Sequence, residues 1–97
     1  MEMIESKVKF KAFLDEDGKI VQIPVPLQKK LCVLSYLAEK FEADKQYREK
    51  EVNGIIQEWH TFNDYFILRR LLVDYGFLCR RTDGSAYWVQ PPERNTL

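Results

Sequence analysis

A chain of 97 residues, 45% of them apolar, has material for one hydrophobic core and would bury somewhat over ~60% of its extended surface on folding. Its 15 basic and 15 acidic residues cancel, which argues against wholesale sequence-blind attraction to nucleic acid while allowing a local basic patch. The opening MEMIESKVKF carries no apolar run of the signal-peptide kind, and no stretch approaches the ~18 apolar residues of a membrane span, so the expectation is a cytoplasmic protein without membrane contact.

In chain order, Glu5 to Leu14 fits two patterns. Val8, Phe10, Ala12 and Leu14 alternate like a strand, whereas Phe10, Phe13 and Leu14 share a helical face that Ser6 could cap. A short helix is the expectation. Asp15-Glu16-Asp17-Gly18 is turn chemistry, with Gly18 free to take positive φ. Lys19 to Ile23 reads as a short strand, ended by Pro24 and Pro26. Pro26 fits the first turn of a helix, where its missing N–H is not needed. Leu27, Leu31, Leu34, Ala38 and Phe41 then recur at three and four residues, predicting a helical stripe that ends near Phe41. Leu37 widens that stripe, while Val33 and Tyr36 lie outside it. So broad an apolar surface predicts burial on more than one side, against the N-terminal segment or a second copy.

Beyond a polar connection from Glu42 to Gln46, Tyr47 is expected to form a brief strand beside a later hairpin. A second helix covers about Glu49 to Trp59, with Val52, Ile55, Ile56 and Trp59 on one face. Glu49 and Glu51 suit the positive end of its dipole. Gly54 costs ~1 kcal/mol against Ala in a helix interior, so another helix is expected to approach it closely. His60-Thr61-Phe62-Asn63 is a turn, and Asn63 or Asp64 can cap a third helix. Leu68, Leu71, Leu72 and Tyr75 form its expected inward stripe. Gly76 stands where a left-handed cap is wanted, with Phe77 folding back toward Leu72.

Asp83-Gly84 between two β-prone runs, Phe77 to Thr82 and Ser85 to Val89, is a strong two-residue hairpin signal. It pairs Thr82 with Ser85, Arg81 with Ala86, Arg80 with Tyr87 and Cys79 with Trp88, and makes Trp88 the expected core anchor. Pro91 and Pro92 end the ribbon. The expected fold class is therefore α/β of the α+β kind: a winged helix-turn-helix core over 25–90, an N-terminal extension with a short strand over 1–24, and a disordered tail over 91–97.

The segments EKEVNGIIQEWH, DYFILRRLLVDYGFLCR and DGSAYW, with the earlier FLDEDGKIVQIP and LSYLAEKFE, together resemble the bacterial family known as domain of unknown function 2087. The likeness runs from about Phe10 to Val89. Members of that family occur alone or fused behind a helix-turn-helix domain of the metal-responsive repressor type, which implies a role near transcription. The resemblance brings no catalytic residues with it. Arg48 stands where a hydroxyl residue is common as the helix cap.

Two surfaces compete for the function. In a helix-turn-helix the second helix enters the major groove by residues near its start, here Thr61, Asn63, Phe66 and Arg70, while a wing meets phosphates. Asn63, Arg69, Arg70, Arg80 and Arg81 are thus the candidate contacts to double-stranded DNA, since Asn can read adenine and Arg guanine. The bland alternative is a solvated helix face beside a charged ribbon edge that blocks sheet pairing, with Arg69 and Arg70 tied internally to Asp64, Asp74 or Glu58. The second surface is apolar. Phe66, Ile67 and Val73 exposed together would mark a protein partner or a homodimer, unless the N-terminal segment covers them. Neither a catalytic constellation nor a cofactor or metal site is expected. Cys32 and Cys79 fit apolar periodic segments as reduced thiols, His60 stands without thiol or carboxylate neighbours at ligand spacing, and the four glycines are scattered. The expected function is a non-catalytic, transcription-associated domain.

Overall fold

The structure is a computed structural model and describes residues 11–89. It contains helices α1 (Leu27–Ala38), α2 (Glu49–Glu58) and α3 (Tyr65–Asp74), followed by strands β1 (Leu78–Arg80) and β2 (Tyr87–Val89) in an antiparallel pair. This is a mixed α+β fold compatible with a winged helix. Ile20, Leu34, Leu37, Ile56, Leu68, Leu72 and Leu78 meet at its centre, essentially without solvent contact.

Of the segment expected as an N-terminal helix, residues 5–10 lie outside the described residues. Leu14 closes a turn by donating its N–H to the Lys11 carbonyl at 3.0 Å, then bridges to Ile20. The expected strand over Lys19 to Ile23 shrinks to Ile20, which bridges Leu14 antiparallel and His60 parallel. Ile20 N–H donates to Trp59 O at 2.8 Å and Thr61 N–H donates to Ile20 O at 3.0 Å, so this stretch is spliced onto the α2–α3 turn. Gly18 takes φ +81°, and the Tyr36 hydroxyl donates to its carbonyl at 2.7 Å. A Cβ at Gly18 would stand 2.8 Å from that hydroxyl oxygen, so two independent constraints require glycine there. The acidic turn before it is satisfied by itself, because the Asp15 carboxylate accepts the N–H groups of Asp17 and Lys19.

Pro26 occupies the N-cap of α1 rather than its first turn: its backbone is extended at ψ 134°, and its carbonyl accepts Lys30 N–H at 2.9 Å. The α-helix stops at Ala38, short of Phe41, which a further turn delivers to the core. The expected stripe is buried at Leu34, Leu37, Ala38 and Phe41, while Leu27 at the helix start is 50% exposed. Val33, outside the stripe, is fully buried as well, and the spliced segment brings Gly18 against Tyr36, the other residue the stripe left out.

On α2, Val52 and Ile56 face the core while Ile55 and Trp59 are half-buried. Glu51 accepts Arg48 N–H at 2.8 Å, one half of a capping box. The other half needs an acceptor at the cap, and a guanidinium has none. Gly54 lies on the exposed face with nothing within 4 Å of an added Cβ, so the close helix approach expected there does not occur. The α2–α3 turn is pinned by buried His60. Its Nδ1 donates to Ile56 O at 2.7 Å and its Nε2 accepts Asp64 N–H at 2.8 Å, which fixes a neutral imidazole with the proton on Nδ1. Asn63 follows at φ 53°, and Asp64 is the N-cap of α3, accepting Ile67 N–H at 3.2 Å.

On α3, Leu68 and Leu72 are fully buried, but Tyr75 is 42% exposed. Tyr75 is the C-cap, where the chain already leaves the helical path, so it does not extend the stripe. Gly76 at φ +83° completes a double cap: Phe77 N–H donates to Leu72 O at 2.8 Å and Gly76 N–H to Val73 O at 3.1 Å. The hairpin register pairs Cys79 with Trp88 and Arg80 with Tyr87, as the Asp-Gly signal places them. The turn itself differs. Only Gly84 is left-handed; Asp83 instead accepts Ser85 N–H at 3.0 Å, and Arg81 N–H to Ala86 O closes a connection over 82–85. Thr82 and Ser85 therefore do not pair, because both favoured two-residue turns need positive φ at the first central residue, and Asp83 does not take it. The core anchor is Tyr87, 2% exposed, and not Trp88. Strand alternation sets Tyr87 with Leu78 on the inward face and Trp88 with Cys79 on the other. Tyr47 exchanges two 2.8 Å backbone bonds with Tyr87, giving the expected brief strand on the outer side of β2.

Candidate functional site

Three elements meet around an open cleft of about 320 Å3. The outer face of α3 supplies Phe66, Arg69, Arg70, Val73 and Asp74, the start of α2 supplies Glu49, and the hairpin supplies Arg80 and Tyr87. The helical repeat places Phe66, Arg70 and Val73 one turn apart along α3. Register places Arg80 opposite Tyr87, at the edge of the buried ribbon face.

The floor is a polar chain linking all three elements. The Arg69 guanidinium donates to Asn53 Oδ1 on α2 and lies 3.6 Å from Glu49 Oε2. The Tyr87 hydroxyl donates to Glu49 Oε1 at 3.2 Å. One carboxylate thus receives a guanidinium from α3 and a phenol from β2, and it holds the hairpin against the helices. Burial, reinforced by the Glu49 carboxylate, pushes the Tyr87 phenol above its ordinary value of 10.0. With only 14% of its side chain exposed, Arg69 is committed to this network, and its guanidinium carbon also sits 5.4 Å from the Phe66 ring centroid.

The rim is different. Arg70 is 65% exposed, with Asp74 Oδ2 at 3.7 Å, a contact of the surface kind worth ~0–1 kcal/mol. Arg80 is exposed and donates to Thr82 O at 3.2 Å. Arg81 is exposed farther along the hairpin, near Asp83, whose carboxyl is held below its usual range chiefly by hydrogen bonds from Ser85. Within the cleft three guanidiniums face two carboxylates, and one of each is spent in the floor.

Of the residues singled out in the sequence, Phe66, Arg69, Arg70, Val73 and Arg80 come together in this cleft. Asn63 and Arg81 lie outside it, on the turn before α3 and on the hairpin. The apolar trio divides: Phe66 is 55% exposed, whereas Ile67 and Val73 are half-buried against the core. Glu49, Asn53 and Tyr87 were not foreseen as site residues. Glu49 has a sequence signal only as a helix-dipole carboxylate, and nothing local connects Asn53 to a residue of α3. Cys32 and Cys79 are half-buried, with no disulfide between them. Among the described residues no three His, Cys, Asp or Glu gather as a metal-binding group, and no helix is long and apolar enough to cross a membrane.

Residues 19–89 match a bacterial family described as "Uncharacterized protein conserved in bacteria (DUF2087)". The chain belongs to the DUF2087 family. No curated protein and no solved structure matches it. The matched span of this DUF2087 domain begins beside the Ile20 splice and ends with β2, so it holds α1, α2, α3, the hairpin and every residue that lines the cleft.

Proposed function

We propose that this DUF2087 domain is a cytoplasmic, non-catalytic, transcription-associated winged helix that contacts double-stranded DNA through Asn63, Arg70, Arg80 and Arg81. The observation that carries the proposal is the convergence of Arg70 from α3 and Arg80 from the hairpin on the rim of one cleft, both exposed. A helix and a neighbouring ribbon presenting exposed guanidiniums, held only by a surface ion pair to Asp74 and a bond to Thr82 O, suit a duplex whose backbone passes between them. Glu49 does not oppose this, since Arg69 and Tyr87 already occupy its oxygens, and Asp74 holds Arg70 only by a weak surface contact. In an electrophoretic shift with random duplexes at two salt concentrations, wild type should bind more weakly at higher salt. Arg80→Ala and Arg81→Ala should each weaken binding uniformly across sequences. Absent or salt-independent binding by wild type would remove the proposal.

The 55% exposure of Phe66 favours a second reading, self-association through Phe66, Ile67 and Val73. It requires a mass in solution that rises with concentration and that Phe66→Glu abolishes. A wild-type monomer at every concentration in a sizing run would discard it.

A further inference from the structure

We infer that Phe66 is a specificity-determining residue that reads the C5-methyl group of thymine in the major groove. The inference rests on the DNA reading above and adds to it the base feature that is recognised. Phe66 is the second residue of α3, in the first turn, which is the part of a second helix that meets base edges. It is the one α3 side chain near the cleft that is both large, apolar and mostly exposed. Ile67 and Val73 turn half-inward against the core, so the apolar patch contracts to little more than a single ring. That is small for a protein interface but matches one methyl group.

The surroundings fit a duplex as the occupant. Arg70 follows Phe66 by one turn on the same face and Arg80 lines the same cleft from the hairpin, so three guanidiniums against the carboxylates of Glu49 and Asp74 leave an excess of positive charge around the ring that complements phosphate. Arg69 lies over the ring, its guanidinium carbon 5.4 Å from the ring centroid. Its guanidinium is anchored by Asn53 and Glu49 before it reaches Phe66, so the ring rests on a fixed cation. This makes Arg69 a positioning residue for base reading rather than a phosphate contact. The ring itself can add nothing to salt-dependent attraction, so discrimination and electrostatic affinity separate cleanly between Phe66 and the rim arginines.

The test uses one duplex enriched from a random pool by repeated binding, then synthesised with thymine or with uracil, which lacks only the methyl group. Wild type should bind the thymine form about four-fold more tightly for each methyl contacted, the factor expected for burying one such group. Phe66→Ala should bind both forms equally while keeping the wild-type salt dependence, and Phe66→Leu should keep part of the discrimination. Equal wild-type binding to both forms, with salt dependence intact, overturns the role of Phe66 and leaves DNA binding standing. No enrichment and no binding to either form overturns both.

Discussion

Arg69 and Arg70 are adjacent in the chain and carry the same guanidinium, yet they end in opposite settings. The ~100° helical step between them turns Arg69 toward α2, where Asn53 and Glu49 fix it with 14% of its side chain exposed, and leaves Arg70 65% exposed on the rim. A part-buried guanidinium with fixed partners contributes to holding elements together, and its removal costs the bonds it made. An exposed one contributes little to folding and remains available to an anion. The floor and the rim of the cleft therefore use one residue type for two purposes, structure below and recognition above.

The largest test of that contrast is stability. Arg69→Ala should cost roughly 1–2 kcal/mol, chiefly because it removes the donor to Asn53 Oδ1, while half-exposed Glu49 keeps the Tyr87 hydroxyl. Arg70→Ala should stay within about 0.5 kcal/mol. Urea denaturation midpoints measure both, and equal losses would erase the distinction. Next comes the phenol of the floor. Tyr87→Phe should cost about 1 kcal/mol for the hydrogen bond to Glu49. Because folding raises the Tyr87 value above 10.0, the folded state keeps a proton that the unfolded chain loses first. That part of stability is fully present below pH 10.0 and fades as pH rises through the folded value; stability of the Phe variant should lack this alkaline component.

Away from the cleft, Gly54→Ala should raise stability by roughly 0.5–1 kcal/mol, since the new methyl meets open space and helix propensity improves. A loss in thermal unfolding would mean that some partner approaches α2 there. The smallest effect belongs to Asp83. Its carboxyl titrates below 3.8, so its contribution is present above that value and disappears as pH falls through the folded one. Asp83→Asn should flatten this slight acid-side slope in a comparison of unfolding midpoints across pH.

The elements were legible wherever the signal was local. The Leu68 and Leu72 spacing, the Gly76 cap and the hairpin register all follow from residues within a few positions of one another. What failed was decided at a distance. Val33 is buried and Tyr36 is tied to Gly18, and no period within α1 announces a partner from an earlier segment. Trp88 lost the anchor position to Tyr87 because size does not determine which strand face turns inward; the pairing with Tyr47 and the reach to Glu49 do. The candidate site was half legible for the same reason. Its arginines could be named from the chain, but Asn53, Glu49 and Tyr87, which sort those arginines into floor and rim, come from two other elements.

The most direct test of the division between floor and rim is the salt slope of duplex binding for Arg70→Ala beside wild type, followed by fluorescence anisotropy from about 50 to 200 mM salt. Loss of one phosphate contact should make the slope of log K against log salt shallower by about 0.9, with the fold unchanged. A slope identical to that of wild type, or no wild-type binding even at the lowest salt, would contradict the assignment of Arg70 to DNA.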